Sequence, residues 1–441
     1  MKSKPNIIIV LSDQLRRQAL GCYGNTDIST PNIDSLAQNG VMFENSCSTY
    51  PICVPFRFTL MTGEYAHTRE IPGIEWCMSP SEPTMADEFN KNGYETIYIG
   101  KWHLAGGSGR VLGKPEEVGK SPIKKAHQGR WKKWLGFEVR NRPYDTYYFE
   151  DDDPEPIKLE GYQTDGMFDL GITQIKNTEK PFCMVISVEP PHDPYIAPPK
   201  FEAKWKNKAI KLRDNFVSPD DNKYDKYISD LRNYYAMIEN LDENVGRLNE
   251  VLKEMSIDDN TIIVFISDHG DLHGSHGLQR KQWPYEESVG IPFIVYDPRT
   301  NVNNVKISAP TNSEDLFPTI LGLADLKVDR KICGYNFAPH ISIGDTNVER
   351  NEVLLEFVAE HRPNADFYLE GWRAIRTEKF KYCVKGDKIN MRPWMLFDLT
   401  EDPYENNNLI GKEDYKAIQD DLNQRLISLI KLTDDFVEIV N

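Results

Sequence analysis

Long apolar runs are missing from this chain of 441 residues. No stretch approaches the roughly 20 apolar residues that span a bilayer, so no membrane segment is expected. The run at residues 7–11 is shorter than the apolar core of a secretion signal, about 7–15 residues, and no small-residue cleavage site follows it. As it stands, the sequence points to the cytoplasm; a periplasmic or secreted chain trimmed of its leader would look the same. Cysteine is scarce and unpaired. Seven residues (22, 47, 53, 77, 183, 333, 383) with no C-x-x-C pair fit neither a disulfide framework nor a zinc ribbon, and reduced, mostly buried thiols are expected. Basic charge is also short: 52 Lys and Arg against 68 Asp and Glu leave a net charge of −16, which argues against a nucleic-acid binder that neutralises phosphates. Internal repeats and low-complexity tracts are absent.

What is present alternates. Apolar, β-branched runs at 6–12, 94–100, 182–188, 261–267 and 292–296 suit strands buried on both faces of a largely parallel sheet. Helical patterns lie between them, at 30–40 with Thr30-Pro31 as its start, at 84–92, and at 225–255 with Leu231, Tyr234, Ile238, Leu241, Val245, Leu248 and Leu252 on one face. Such alternation predicts an α/β fold, a large doubly wound, mostly parallel sheet sandwiched by helices, over residues 1–345. The glycine-rich stretch at about 105–160 reads as an irregular excursion from that sheet. Residues 346–441 change style, with short strand runs at 352–357, 371–376, 380–384 and 395–399 and a helix at 413–432, and predict a smaller antiparallel sheet plus helix.

In open α/β sheets, ligands bind beyond the carboxyl ends of the strands. Those ends here carry Asp13-Gln14, Lys101-Trp102-His103, Pro191-His192-Asp193 and Asp268-His269-Gly270. Singly, each has a structural reading: Asp13 as a helix cap, His192 as a satisfied loop histidine. Four strands delivering such residues to one edge is a pattern that solvation does not explain. Asp13, Gln14, Asp268 and His269 form an oxygen-rich set without thiolate, suited to a hard divalent cation such as Ca²⁺ or Mg²⁺, while the imidazole favours Mn²⁺. The segment from Cys53 to Gly63 places Cys53 at a helix start, where the dipole favours an anion, with Arg57 one turn on.

At this point the sequence resembles the sulfatase family of the alkaline phosphatase superfamily, whose signature is C-x-P-x-R followed by an apolar residue and T-G. The resemblance covers Asp13-Gln14, Cys53 to Gly63, Gly100-Lys101-Trp102-His103, Pro191-His192, Asp268-His269-Gly270, His276-Gly277 with Lys281 and Tyr285-Glu286, Phe380-Lys381-Tyr382, and Leu396 to Pro403. Phe56 departs from the commonest motif, which has Ser or Ala there; Gln14 and His269 replace a more frequent Asp and Asn.

The resemblance implies a sulfuric-ester hydrolase whose Cys53 is oxidised by a formylglycine-generating maturation enzyme. It implies one divalent cation, Ca²⁺ first and Mg²⁺ or Mn²⁺ as alternatives, held by Asp13, Gln14, residue 53, Asp268 and His269. Arg57 and Lys101 would stabilise the nucleophile and sulfate oxygens, His103 would act as the base that reforms the aldehyde, and His192 and Lys281 would meet the leaving oxygen. A sulfated carbohydrate is the expected substrate. Two alternatives stand beside it: a phosphonate monoester or phosphodiester hydrolase on the same scaffold, suggested by Gln14 and His269, and a sulfoglycan-binding protein in which Cys53 remains a thiol. From Arg110 to Arg142, ten basic residues face three acidic ones. This run, with Arg110, Lys132 and Lys133 as its charges and Trp131 and Trp134 as stacking platforms, is expected to hold an acidic saccharide. The oligomeric state is not legible.

Overall fold

The computed structural model describes residues 4–106, 119–218 and 220–440. Ten strands make the large sheet: β1 (Asn6–Ser12), β2 (Val41–Phe43), β3 (Glu95–Lys101), β4 (Lys133–Phe137), β5 (Tyr147–Glu150), β6 (Ile157–Lys158), β7 (Phe182–Ser187), β8 (Thr261–Ser267), β9 (Phe293–Tyr296) and β10 (Val305–Ile307). Their order is β10-β2-β9-β8-β1-β7-β3-β4-β5-β6. The centre, β8-β1-β7-β3-β4, is parallel, while β9, β5 and β6 run antiparallel to their neighbours, so the sheet is mixed.

The period-two rule explains why β1 sits at the centre. Ile7, Ile9 and Leu11 point into one hydrophobic cluster and Ile8 and Val10 into another on the opposite face, all essentially inaccessible to water. Each buried side chain of this size contributes about 1.5–3 kcal/mol. Helices Cys53–Thr62, Met85–Lys91 and Leu316–Leu323 cover the first face; Pro31–Gln38, Gln163–Asn177 and Tyr224–Glu254 cover the second. Among the described residues, no helix is long and apolar enough to cross a membrane.

The stretch expected to leave the sheet instead extends it, because β4, β5 and β6 all lie within 105–160. These strands have two to five residues, too few to show a period in sequence. Trp131 and Trp134 are wholly buried there, packed with Trp102 around the Tyr98 ring at centroid distances of 4.9–5.5 Å.

A second sheet of four antiparallel strands follows: β11 (Glu352–Phe357), β12 (Gly371–Thr377), β13 (Phe380–Gly386) and β14 (Arg392–Asp398). The helix Lys416–Leu432 buries Leu422, Leu426 and Ile430 against Ile375, Tyr382 and Leu396. All seven cysteines are free thiols; Cys77 and Cys333 are exposed, Cys22 is partly exposed and the other four are buried.

Candidate active site

The parallel strands end on one edge, and the residues that follow them converge there. Asp13 and Gln14 come off β1, Asp268 and His269 off β8, while Lys101 closes β3 and leads to His103. Close backbone approach makes the convergence possible. A Cβ on Gly100, which has φ +94°, would come 1.9 Å from Ser187 O, and one on Gly270 would come 2.0 Å from Glu287 O. The helix Cys53–Thr62, buried along its whole length, aims its N-terminus at the same point.

Cys53 is the hub. Its Sγ lies 3.2 Å from His269 Nε2, 3.3 Å from Lys281 Nζ, 3.6 Å from Asp13 Oδ1 and 3.9 Å from Lys101 Nζ. Arg57 Nη2 bridges the two acids, 3.3 Å from Asp13 and 3.2 Å from Asp268, while its Nη1 donates to Lys101 O and Ser187 Oγ. Lys101 Nζ donates to Asp13 Oδ2 at 2.5 Å. Lys281 is partly exposed and the other groups are 0–2% exposed, so nearly every charge here acts in low dielectric.

That environment sets the protonation states. Burial alone would raise the Asp13 pKa, but the charges of Lys101, Lys281 and Arg57 hold it well below the usual carboxylate range. Asp268 moves the other way, to about 6, through burial and the charge of Asp13. Burial and the same Asp13 push the Cys53 thiol up to about 11, so the unmodified residue is a neutral thiol at pH 7. Burial, with Lys281 or Lys101 beside them, lowers His269, His192 and His103, leaving neutral imidazoles.

The donor set fits a cation. Asp13, Cys53, Asp268 and His269 each offer an atom within 4.8 Å of the others. His269 Nδ1 faces Gly270 O at 3.0 Å; a proton there leaves the Nε2 lone pair aimed into the cluster. Gln14, at φ +66°, is oriented similarly: its Nε2 donates to Asp271 Oδ2 at 2.7 Å, which turns Oε1 inward. The Lys281 ammonium stands within 3.0 Å of Gln14 Oε1 and His269 Nε2, a positive charge held by these same donors. Two buried carboxylates that repel each other, an amide oxygen and a neutral imidazole suit a hard divalent ion.

A cleft of about 460 Å³ opens above, lined by Cys53, Lys101, His103, His192 and Lys281 among others. The structure therefore brings together Asp13, Gln14, Cys53, Arg57, Lys101, His103, His192, Asp268, His269 and Lys281. It does not bring the expected saccharide platform. Trp131 is enclosed in the core, with no face to offer a sugar. Lys132 Nζ donates to Tyr94 O, and Lys133 Nζ pairs with Glu150 and Asp151. Both lysines sit at the amino end of β4, which runs parallel to β3, and so lie at the sheet edge opposite the cleft. Arg110 lies outside the described residues.

The cleft also has residues that sequence reasoning missed. Asn141 follows β4, Arg280 pairs with Asp193 at 3.1 Å, and Arg362 to Asp366 arrive from the loop between β11 and β12. The one sequence signal for that loop was its turn composition, Arg362-Pro363-Asn364-Ala365-Asp366, between two strands.

Comparison with known proteins agrees with this geometry. Residues 5–326 match the family model described as Sulfatase, and residues 274–432 match the model of the N-sulphoglucosamine sulphohydrolase C-terminal region. An ulvan-active sulfatase of Formosa agariphila is 32% identical over 445 residues, spanning 98% of this chain and 83% of that relative. An N-acetylglucosamine-6-O-sulfatase of Bacteroides thetaiotaomicron is 26% identical, over 96% of this chain and 86% of its own length. The solved structure of the Bacteroides fragilis yidJ protein, a sulfatase by assignment, superposes with a TM-score of 0.88 at 26% identity, covering 99% of this chain and 98% of that one. With its strand-end acids, its buried Cys53 helix and a match running through both sheets, the chain belongs to the sulfatase family of sulfuric-ester hydrolases.

Proposed function

We propose that this enzyme removes sulfate from a sulfated carbohydrate, with residue 53, matured from cysteine to formylglycine, as nucleophile and one divalent cation, Ca²⁺ by preference, beside it. The observation that carries the reading is Cys53 Sγ within 4 Å of Asp13, Lys101, His269 and Lys281 at the floor of a cleft. A thiol raised to about 11 is a poor nucleophile at neutral pH, which supports conversion of the residue before it works. Two relatives whose names specify ulvan and N-acetylglucosamine support a saccharide substrate.

Asp13, Gln14, Asp268 and His269 would hold the cation together with residue 53. When bound, it would supply Lewis-acid polarisation of a sulfate oxygen and lower the pKa of the attacking oxygen. The chain's own groups do the remainder. Arg57 fixes both carboxylates with one guanidinium. Lys101, paired to Asp13 and 3.9 Å from Sγ, stabilises negative charge as it grows on residue 53. His103 is neutral, and both of its ring nitrogens are buried without a partner among the described residues, so it is free to take a proton from residue 53. His192 Nδ1 faces Asp193 O at 2.6 Å, which leaves Nε2 to meet the leaving oxygen, and the Lys281 ammonium carries protons that can be delivered to it.

Mass spectrometry of the peptide spanning Cys53, from protein expressed with a maturation enzyme, tests this together with sulfate release from a sulfated sugar. Conversion of the thiol to the aldehyde and release of sulfate are expected. Full sulfatase activity with only free thiol at position 53 would overturn the nucleophile assignment, and hydrolysis of phosphate or phosphonate esters in preference to sulfate esters would overturn the substrate.

A further inference from the structure

The small C-terminal unit reaches into the cleft through one loop. Its base is closed by backbone hydrogen bonds, Glu360 N to Phe367 O and Leu369 N to Glu360 O, both 3.0 Å, so the residues between are held as a compact loop. Arg362 to Asp366 form part of the cleft wall.

Glu360, 1% exposed, organises this wall. Its Oε1 accepts from the backbone N–H of His361 and Arg362, at 3.0 and 3.2 Å, and its Oε2 accepts from Arg362 Nη2 at 2.5 Å and Gln282 Nε2 at 3.3 Å. Gly73 makes room, since a Cβ there, already at φ +64°, would come 2.7 Å from the Glu360 carboxylate. A buried acid thus hydrogen-bonds the guanidinium from one side, and the Glu75 carboxylate adds a second negative charge nearby. Arg362 Nε is buried with no acceptor, and Nη1 makes no hydrogen bond among the described residues. The side chain is 28% exposed and lines the cleft, so it is within reach of solvent and ligand although Nε itself is buried.

The other cleft charges have partners. Lys101 is paired with Asp13, Arg280 with Asp193, and Asp366 accepts from Trp283 Nε1 at 3.1 Å. Arg280 is 61% exposed and contacts only Asp193 among the described residues, whereas Arg362 is held in place by a buried acid and still keeps unassigned donors in a planar fork, the geometry that binds carboxylate or sulfate bidentately. Asn141 and Asn364, in the same cleft, suit hydroxyl groups.

We infer that Arg362, locked by Glu360, is a specificity-determining residue for a second anionic group on the substrate, so that the enzyme selects a saccharide carrying a carboxylate or another sulfate beside the ester it cleaves. The inference rests on the sulfatase reading and adds the substrate's second charge. Arg362 acts in binding; the reacting bond is left to the residues around Cys53.

R362Q and R362K, both checked by thermal melting, test it on four esters: a uronate-bearing sulfated disaccharide, the same disaccharide with its carboxyl reduced to an alcohol, a doubly sulfated monosaccharide, and 4-nitrophenyl sulfate. Loss of a charge-assisted pair should raise KM for the recognised anion about tenfold or more in R362Q, and lower the kcat/KM ratio of that ester over 4-nitrophenyl sulfate by the same factor. R362K, which keeps the charge without the fork, should fall between. A loss confined to the uronate disaccharide that vanishes on carboxyl reduction identifies a carboxylate; a loss confined to the doubly sulfated sugar identifies a sulfate. Calorimetric titration with the sulfate-free uronate disaccharide and with the singly sulfated monosaccharide needs no turnover, and R362Q should weaken one of them about tenfold. Equal losses on all four esters, or titrations that do not distinguish R362Q from wild type, overturn the inference. Failure of the wild type to release sulfate from any ester would instead sink the sulfatase reading, leaving the titrations to judge Arg362.

Discussion

Two buried ion clusters in this molecule use nearly the same ingredients and do opposite things. At the cleft floor, Asp13 and Asp268 face Arg57 and Lys101. At the junction of the two sheets, Glu286 and Glu405 face Lys381, 3.2 and 2.6 Å away, with Arg17 and Arg376 also on Glu286. The junction cluster answers each charge with an opposite one: Glu405 Oε1 lies 2.6 Å from Lys381 and Oε2 accepts from the Glu286 backbone N–H, although Arg376 Nε, 3.6 Å from Glu286, makes no hydrogen bond among the described residues. The cleft cluster stays open on one side, with the Arg57 Nε and both His103 nitrogens unpartnered among the described residues and Cys53 between the charges. Satisfied ion clusters hold elements together, whereas partly satisfied ones hold reactivity. Residues 286 and 381 both fall in segments that resemble the family pattern, and the structure explains them as partners in that junction.

The largest effect should come from breaking the open cluster. Asp268→Ala removes a proposed cation ligand, so sulfate release should fall to background while elemental analysis of the purified protein shows no bound divalent ion. The melting temperature should hold or rise, because one of two repelling carboxylates is gone. A full equivalent of metal in this variant would contradict the ligand assignment.

Breaking the closed cluster should invert that pattern. Lys381→Met keeps the side-chain volume but strips two buried glutamates of their shared cation, at a cost of about 3 kcal/mol in denaturant unfolding. Activity per folded molecule should stay near wild type, as Lys381 touches no cleft residue among the described residues. A stable but inactive variant would mean that the junction takes part in catalysis after all.

A third cluster sharpens the comparison through pH. His67 Nδ1 contacts Glu356 at 2.6 Å and Nε2 contacts Thr433 O at 3.0 Å, so two acceptors face one ring and favour the doubly protonated form. Burial opposes that charge, but Glu356 and Asp435 outweigh it and raise the His67 pKa from 6.5 to about 9. A raised folded-state pKa stabilises the fold in full below 6.5, and the contribution, up to about 3 kcal/mol, is lost as pH rises towards 9. Unfolding free energy measured from pH 6 to 9.5 should therefore decline in the wild type and decline less in His67→Gln. Parallel curves for the two proteins would show that the contact does not hold a proton.

Much of this was legible beforehand, and the reason differs from place to place. The strands at 6–12 and 261–267 each have five consecutive apolar residues between polar ends, buried on both faces, and such runs announce themselves at any register. The residues just after them were findable because parallel strands must end on a common edge. The error over Trp131, Lys132 and Lys133 came from treating nearness in sequence to Lys101 and His103 as nearness in space. Strand β4 runs beside β3 in the same direction, so residues before it start at the far edge. Arg362 was out of reach because it is 309 positions from Cys53, on a loop whose composition says only that the chain turns.

Local chemistry in the chain determined which residues could react: a cysteine at a helix start, acids and imidazoles at strand ends, periodic apolar stretches to bury them. What tertiary structure decided was which charges are answered. Lys381 is shared by two glutamates from distant segments and becomes structural, while Arg362 is hydrogen-bonded by one and keeps donors to spare among the described residues. Sequence spacing carries no record of that difference, because pairing depends on how two sheets dock and on the low dielectric their contact creates.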